Sequence, residues 1–348
     1  MSTTDGFDLS IRPRRSRLRT VATVALASIG FAATTMASTI LEPGFTETVI
    51  DTIAVATNGY GGMVTDNEGN LYYAANEAEQ VYKVPPGGTA SQFGTTAGSQ
   101  ALGITIIGSS LYSSYVSNDI YSQDLNQSNP TGVLIATLPS DAMGMAVVPS
   151  GFGAYGGQLA VGTNNGISIV NPSDGSQIVL WIASTNIPDV AFTLDGRLVA
   201  LRVGSSELVE VSSTGVATVL ASGLSAADGL AVQPATGEIY VASPNSRTII
   251  KVQPDGSAQS VFATNVLFDG GYWPSPITFT IDGTDMYYAT RESGSTIYQI
   301  NGFDSAGGGI DIDITTPTPV PVLSKPGLLA LILILASAGF IAIRRWSN

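Results

Sequence analysis

The chain carries no histidine and no cysteine in 348 residues. This removes Ser-His and His-His hydrolase mechanisms, thiolate metal sites and any disulfide framework. Carboxylates, lysine, tyrosine and hydroxyls are the groups left to move a proton. Several acidic residues stand beside glycine, at Asp66-Asn67-Glu68-Gly69, Asp195-Gly196, Asp255-Gly256 and Asp282-Gly283. They look like calcium loops but lack the ligand spacing of an EF-hand. Placed between apolar runs they read as hairpin turns, where Asp or Asn followed by Gly supplies a positive backbone angle. Tyr60, Tyr272 and Trp273 precede apolar runs and offer stacking faces for a sugar, with packing beneath a loop as the alternative.

The runs that must position these residues recur. A small or turn-forming residue followed by an apolar pair returns at Gly62-Met63-Val64, Gly103-Ile104-Thr105, Gly144-Met145-Ala146, Asp189-Val190-Ala191, Gly229-Leu230-Ala231 and Pro276-Ile277-Thr278, with successive copies 41, 41, 45, 40 and 47 residues apart. A period of roughly 40 to 50 residues built from short strands marks propeller blades. In the first copy Met63-Val64-Thr65, Leu71 to Ala74, Val81 to Val84 and Ala90 to Phe93 are four strands separated by polar turns, which is one antiparallel blade. The pattern predicts an all-β chain with a six-bladed β-propeller of four-stranded antiparallel blades over residues 38–310. The sixth copy holds only three strands before the chain turns glycine-rich, whereas Phe45 to Ile50 reads as a strand with no hairpin partner. Adding the latter to blade six closes the ring and removes its open edge.

The ends carry a different signal. Arg12, Arg14, Arg15, Arg17 and Arg19 precede the apolar run Val21 to Ala33, and Thr35-Met36-Ala37 offers the small residues that a signal peptidase reads. Residues 1–37 are therefore expected to be a signal peptide cut after Ala37. At the other end, residues 311–326 form a Thr/Pro-rich linker, 327–343 an uncharged apolar run of 17 residues, and 344–348 a basic tail. The run is just long enough for a transmembrane helix, and its arginines would stay cytoplasmic. This tail resembles the bacterial PEP-CTERM and IPTL-CTERM sorting signals, with Val320, Pro321, Val322, Leu323 and Ser324 standing where the latter has Ile-Pro-Thr-Leu-Ser. The resemblance implies an exosortase-like enzyme and the membrane as partners, cleavage near the motif, and transfer to the cell surface or extracellular matrix of a bacterium. A plain single-span anchor is the alternative.

Charge is concentrated between these ends. Residues 38–324 hold 25 Asp and Glu against six Lys and Arg, a balance of −19, within a chain whose formal charge is −13. Such a domain repels nucleic acid and anionic membrane surfaces, and accepts cations, neutral glycans or basic proteins.

The body resembles the NHL-repeat and SMP-30/gluconolactonase-like six-bladed propellers, most clearly in Asp228-Gly229-Leu230, Gly237 to Ala242 and Lys251 to Gly256. That resemblance implies a divalent metal in the central channel, held by oxygen ligands of a kind that suits calcium. Asp228 matches the family's Asp-Gly phrase, and Asp189 stands where a Pro-Asn-Gly phrase has Asn. Asp141 and Asp269 lie in loops leading to the same end. Tyr60-Gly61-Gly62 replaces the Glu expected in the first blade. Solvated turn carboxylates without a metal are the alternative. Three functions follow: a non-enzymatic surface or matrix propeller presenting its loop face to a glycan, protein or small ligand; a calcium-dependent lactone hydrolase; and a lyase like virginiamycin B lyase. A histidine that this chain lacks counts against the last.

Overall fold

The structure, a computed structural model, describes residues 38–52, 60–75, 80–95, 100–183, 185–268, 275–290 and 295–304. All belong to one of the chain's two units, Ala37–Asn348; the other, Met1–Met36, lies outside the described residues, as do the linker, the sorting motif and the apolar run of residues 327–343. Among the described residues no helix is long and apolar enough to cross a membrane.

Six antiparallel sheets follow one another along the chain, and within each the strands pair with their sequence neighbours except where two N-terminal strands join the fifth and sixth sheets. Their first strands are Tyr60–Thr65, Ala101–Ile107, Ala142–Val147, Val190–Phe192, Gly229–Val232 and Ile277–Phe279. These contact one another in succession, and the sixth meets the first, so the sheets are the blades of a closed propeller.

The apolar runs fail to alternate because both faces of each blade are covered. The second strands Leu71–Ala75, Leu159–Thr163 and Ile239–Ser243 are buried at every position. Six main apolar clusters each lie between neighbouring blades. Tyr72 and Val81 of the first blade meet Ile104 and Leu111 of the second, while Tyr73 and Val84 meet Tyr287 and Ile297 of the sixth.

The Asp-Gly sequences are turns. Asp66 Oδ1 accepts the N–H groups of Glu68 and Asn70, each at 2.9 Å, and Gly69 takes the positive φ of 79°. Gly196, Gly256 and Gly283 repeat that angle at 80°, 73° and 75°. The Asp255 carboxyl is held below its ordinary range by the Ser257 hydroxyl and N–H.

The outer strand of the sixth blade comes from the N-terminal side: Thr46–Thr52 pairs antiparallel with Thr296–Asn301, from Thr46 opposite Asn301 to Thr52 opposite Thr296. The blades are not uniformly four-stranded, however. A two-residue strand, Thr39–Ile40, adds to the edge of Gln259–Thr264 and gives the fifth blade a fifth strand. Residues 38–52 are thus a strap across two consecutive blades. Phe45, between the two strands, packs on Phe262 of blade five at 5.0 Å and on Phe303 at 4.7 Å. Lys251 Nζ, in the middle of blade five, reaches Glu42 Oε1 at 2.5 Å.

Candidate functional site

The six first strands enclose a channel of about 700 Å³. Each turns an edge to it, so consecutive residues line it, and the apolar member of each repeat phrase, Met63, Ile104, Met145, Val190, Leu230 and Ile277, borders the channel while its side chain is buried in a core between blades. Phe192, Leu194, Val232, Phe279 and Ile281 continue this wall toward the strand ends, where Leu194 is 49% exposed and Ile281 37%. The polar remainder is mostly threonine. Asp189 and Asp228 are the only charged side chains among the described lining residues.

Asp189 stands at the entry to the fourth blade and touches three blades. Its Oδ1 accepts the Val190 N–H at 2.9 Å and its Oδ2 the Leu230 N–H of blade five at 2.8 Å. From blade three the Gly144 N–H reaches the neighbouring Pro188 carbonyl at 2.9 Å. A Cβ on Gly144 would lie 2.1 Å from Asp189 Oδ1, so glycine is the residue that admits the carboxylate. Asp189 keeps some surface on the channel, but its carboxylate is enclosed. Burial pushes it up to about 7, against the two N–H groups that favour the charged form. Asp228 repeats the inter-blade tie one blade on, its Oδ1 accepting the Ser275 N–H of blade six at 3.2 Å.

Asp141 is engaged elsewhere, accepting from Asn164 Nδ2 at 2.5 Å within blade three. Asp269, Tyr272 and Trp273 lie outside the described residues, and Tyr60 opens the first strand with its side chain also outside them. Among the described residues no three carboxylates gather into a group able to hold a metal. Asp189 accepts one backbone N–H on each oxygen and Asp228 one on Oδ1, which fixes both carboxylates against neighbouring blades. The described donors therefore do not fit the calcium site that the family resemblance implies.

The sequence singled out carboxylates at the strand entries, and the structure turns two of them into ties between blades. The innermost strands were present in the repeat phrase itself, but reading their residues as lining requires knowing which strand of each blade borders the channel.

Fold and channel together define a six-bladed propeller with an apolar central channel. No protein-family model matches the chain, and no curated protein matches it in sequence. Solved structures do match in fold. A calcium-binding protein, regucalcin from Agrobacterium tumefaciens, is 17% identical with a TM-score of 0.56, covering 75% of this chain and 96% of its own. A luciferin-regenerating enzyme is 13% identical with a TM-score of 0.57, covering 76% and 99%. Virginiamycin B lyase from Staphylococcus aureus is 11% identical with a TM-score of 0.53, covering 74% and 99%. At such identities these neighbours show the six-bladed fold alone.

Proposed function

We propose that this chain is an exported binding propeller, held at the cell surface or matrix by its C-terminal segment, whose channel takes a small apolar molecule or an apolar side chain of a partner. The observation that carries this reading is the channel wall: six blades contribute Met, Ile, Leu, Val and Phe, and the two lining carboxylates are already tied to backbone N–H groups. A largely preformed apolar cavity of this size suits a small ligand. Export rests on the leader and tail sequences of residues 1–37 and 311–348.

Two hydrolytic or eliminative readings are weaker. The neighbour lyase has a variant, with one histidine replaced by alanine, described as catalytically inactive, and this chain contains no histidine. A lactone hydrolase would need its calcium, for which the described residues supply no group of three carboxylates. What favours retaining the hydrolase as second reading is Asp189, an acid held near 7 inside the channel and so able to exchange a proton at neutral pH.

Titration with the neutral dye Nile red, followed by fluorescence, tests the binding reading. Saturable one-to-one binding is expected, weakened at least tenfold by Leu194→Trp, which narrows the exposed end of the channel, with the fold checked by circular dichroism. A wild-type protein that gives no saturable signal would dismiss it. Turnover of simple lactones, dependent on Asp189, would instead establish the second reading.

A further inference from the structure

The first described residue, Ser38, donates twice to one carboxylate. Its backbone N–H reaches Glu47 Oε2 at 3.0 Å and its hydroxyl reaches Glu47 Oε1 at 2.5 Å. The Tyr288 hydroxyl donates to the same Oε1 at 2.5 Å. Tyr288 is 1% exposed and stacks on Tyr298 with ring centroids 5.0 Å apart. Burial and the adjacent Glu47 drive its phenol far above the ordinary value, so it remains a donor. Glu47 lies on Thr46–Thr52, the strand that closes the ring, and Ser38 leads directly into Thr39–Ile40 on blade five. The carboxylate therefore joins the two ends of the strap. Among the described residues every donor to it is neutral and no Lys or Arg pairs with it.

We infer that Ser38 is the amino terminus of the mature protein and that its ammonium group is the cation this carboxylate site receives. The sequence independently puts the leader cut between Ala37 and Ser38, at the end of Thr35-Met36-Ala37. A leader peptidase hydrolyses that peptide bond: the C–N bond breaks, the hydroxyl of water goes to the Ala37 carbonyl carbon, and the Ser38 nitrogen gains the hydrogen of water and a further proton. An α-amine titrates near ~8 when unperturbed, so beside a carboxylate it is charged at neutral pH. The 3.0 Å contact, in which only the acceptor is charged, becomes an ion pair. Processing thereby tightens the strap across blades five and six. The described titratable groups at this site are Glu47 on the strap, which the Ser38 nitrogen contacts, and Tyr288 on blade six, which shares Glu47 with it and carries Tyr298 stacked behind it.

This inference rests on the proposed export, and its test separates the two. The full chain is produced with its own leader in a bacterium, and the recovered protein is sequenced from its amino terminus by mass spectrometry. A start at Ser38 is expected. Mild periodate then oxidises the 2-amino alcohol that only an amino-terminal Ser or Thr provides, deleting the amine and hydroxyl without any substitution. The treated protein should melt lower by about 2–4 °C at pH 7. Untreated protein should lose that margin as pH rises above ~8, since an amine whose folded pKa is raised stabilises below its unfolded pKa and ceases to above its folded one. Glu47→Gln should abolish the pH-dependent part. A retained leader would overturn both export and inference. Cleavage at another bond would overturn the inference and leave export standing. A Ser38 start with melting unchanged by periodate and flat between pH 7 and 10 would overturn the pair.

Discussion

Asp189 shows how one residue can look catalytic and be architectural. Its two oxygens accept N–H groups from Val190 and Leu230, and Gly144 clears the space it occupies. A carboxyl raised from 3.8 to about 7 is protonated in the fold and ionised in the unfolded chain between those values, so unfolding releases a proton there. Stability then falls as pH rises from ~4 to ~7 and levels off above, by up to a few kcal/mol. Asp189→Asn removes this slope. Its amide retains one acceptor oxygen but turns an NH₂ toward one N–H, a loss of about 1 kcal/mol. The variant should be less stable than wild type near pH 4 and equal or more stable near pH 8, which urea unfolding at the two pH values would reveal. A variant whose deficit is the same at both would mean that Asp189 does not titrate in this window. Gly144→Ala should cost at least ~2 kcal/mol through collision with Oδ1, and Asp189→Ala in the same chain should recover part of it. The sequence made Asp189 and Asp228 legible as residues entering innermost strands. It could not show that both would accept backbone N–H groups of the next blade, because those donors lie more than 40 residues on and meet them only when the ring forms.

At the level of elements, the repeat was readable because every blade buries both faces, leaving apolar runs at a fixed spacing that turns such as Asp66 to Asn70 punctuate. The strand Thr39–Ile40 was not, since two residues have no period and their pairing with Ala263 and Thr264 is set by the edge they land on. The strap is held chiefly by Phe45, whose ring lies against Phe262, Phe303 and through them Tyr240. Phe45→Ala should cost roughly 2–3 kcal/mol, below the 3–5 typical of a fully buried phenylalanine because Phe45 is only partly buried. By contrast Val133→Ala, on the outer strand of blade two and 63% exposed, should change stability by less than ~0.5 kcal/mol. Chemical denaturation of both variants checks the contrast. Equal effects would mean that the strap adds nothing to closure.

The whole molecule sets a strongly acidic ring against an apolar channel, and these two properties select ligands differently. The balance of −19 over residues 38–324 draws cations to the surface without a specific site, an attraction that salt screens within about 10 Å at 0.1 M. A true calcium site would behave otherwise: at a hundredfold excess over its dissociation constant, calcium would stabilise the fold by about 2.7 kcal/mol and resist added salt. Among the described residues Asp141 is bound to Asn164, Asp189 to blade five and Asp228 to blade six, and no three carboxylates converge. Millimolar calcium should therefore raise the melting temperature by less than ~1 °C in 150 mM salt, and no more than magnesium does. Asp189→Ala with Asp228→Ala should leave that small response unchanged. A calcium-selective rise of several degrees that the double variant loses would instead place a metal at the channel mouth, completed by groups such as Asp269 outside the described residues. It would also move the hydrolase reading ahead of the binding one. The fold neighbours cannot make this decision, because a calcium-binding protein and a lyase share the same ring with this chain at 17% and 11% identity. What differs between such proteins is the set of side chains bordering the channel, and here most of those are apolar, with threonines and two aspartates among them.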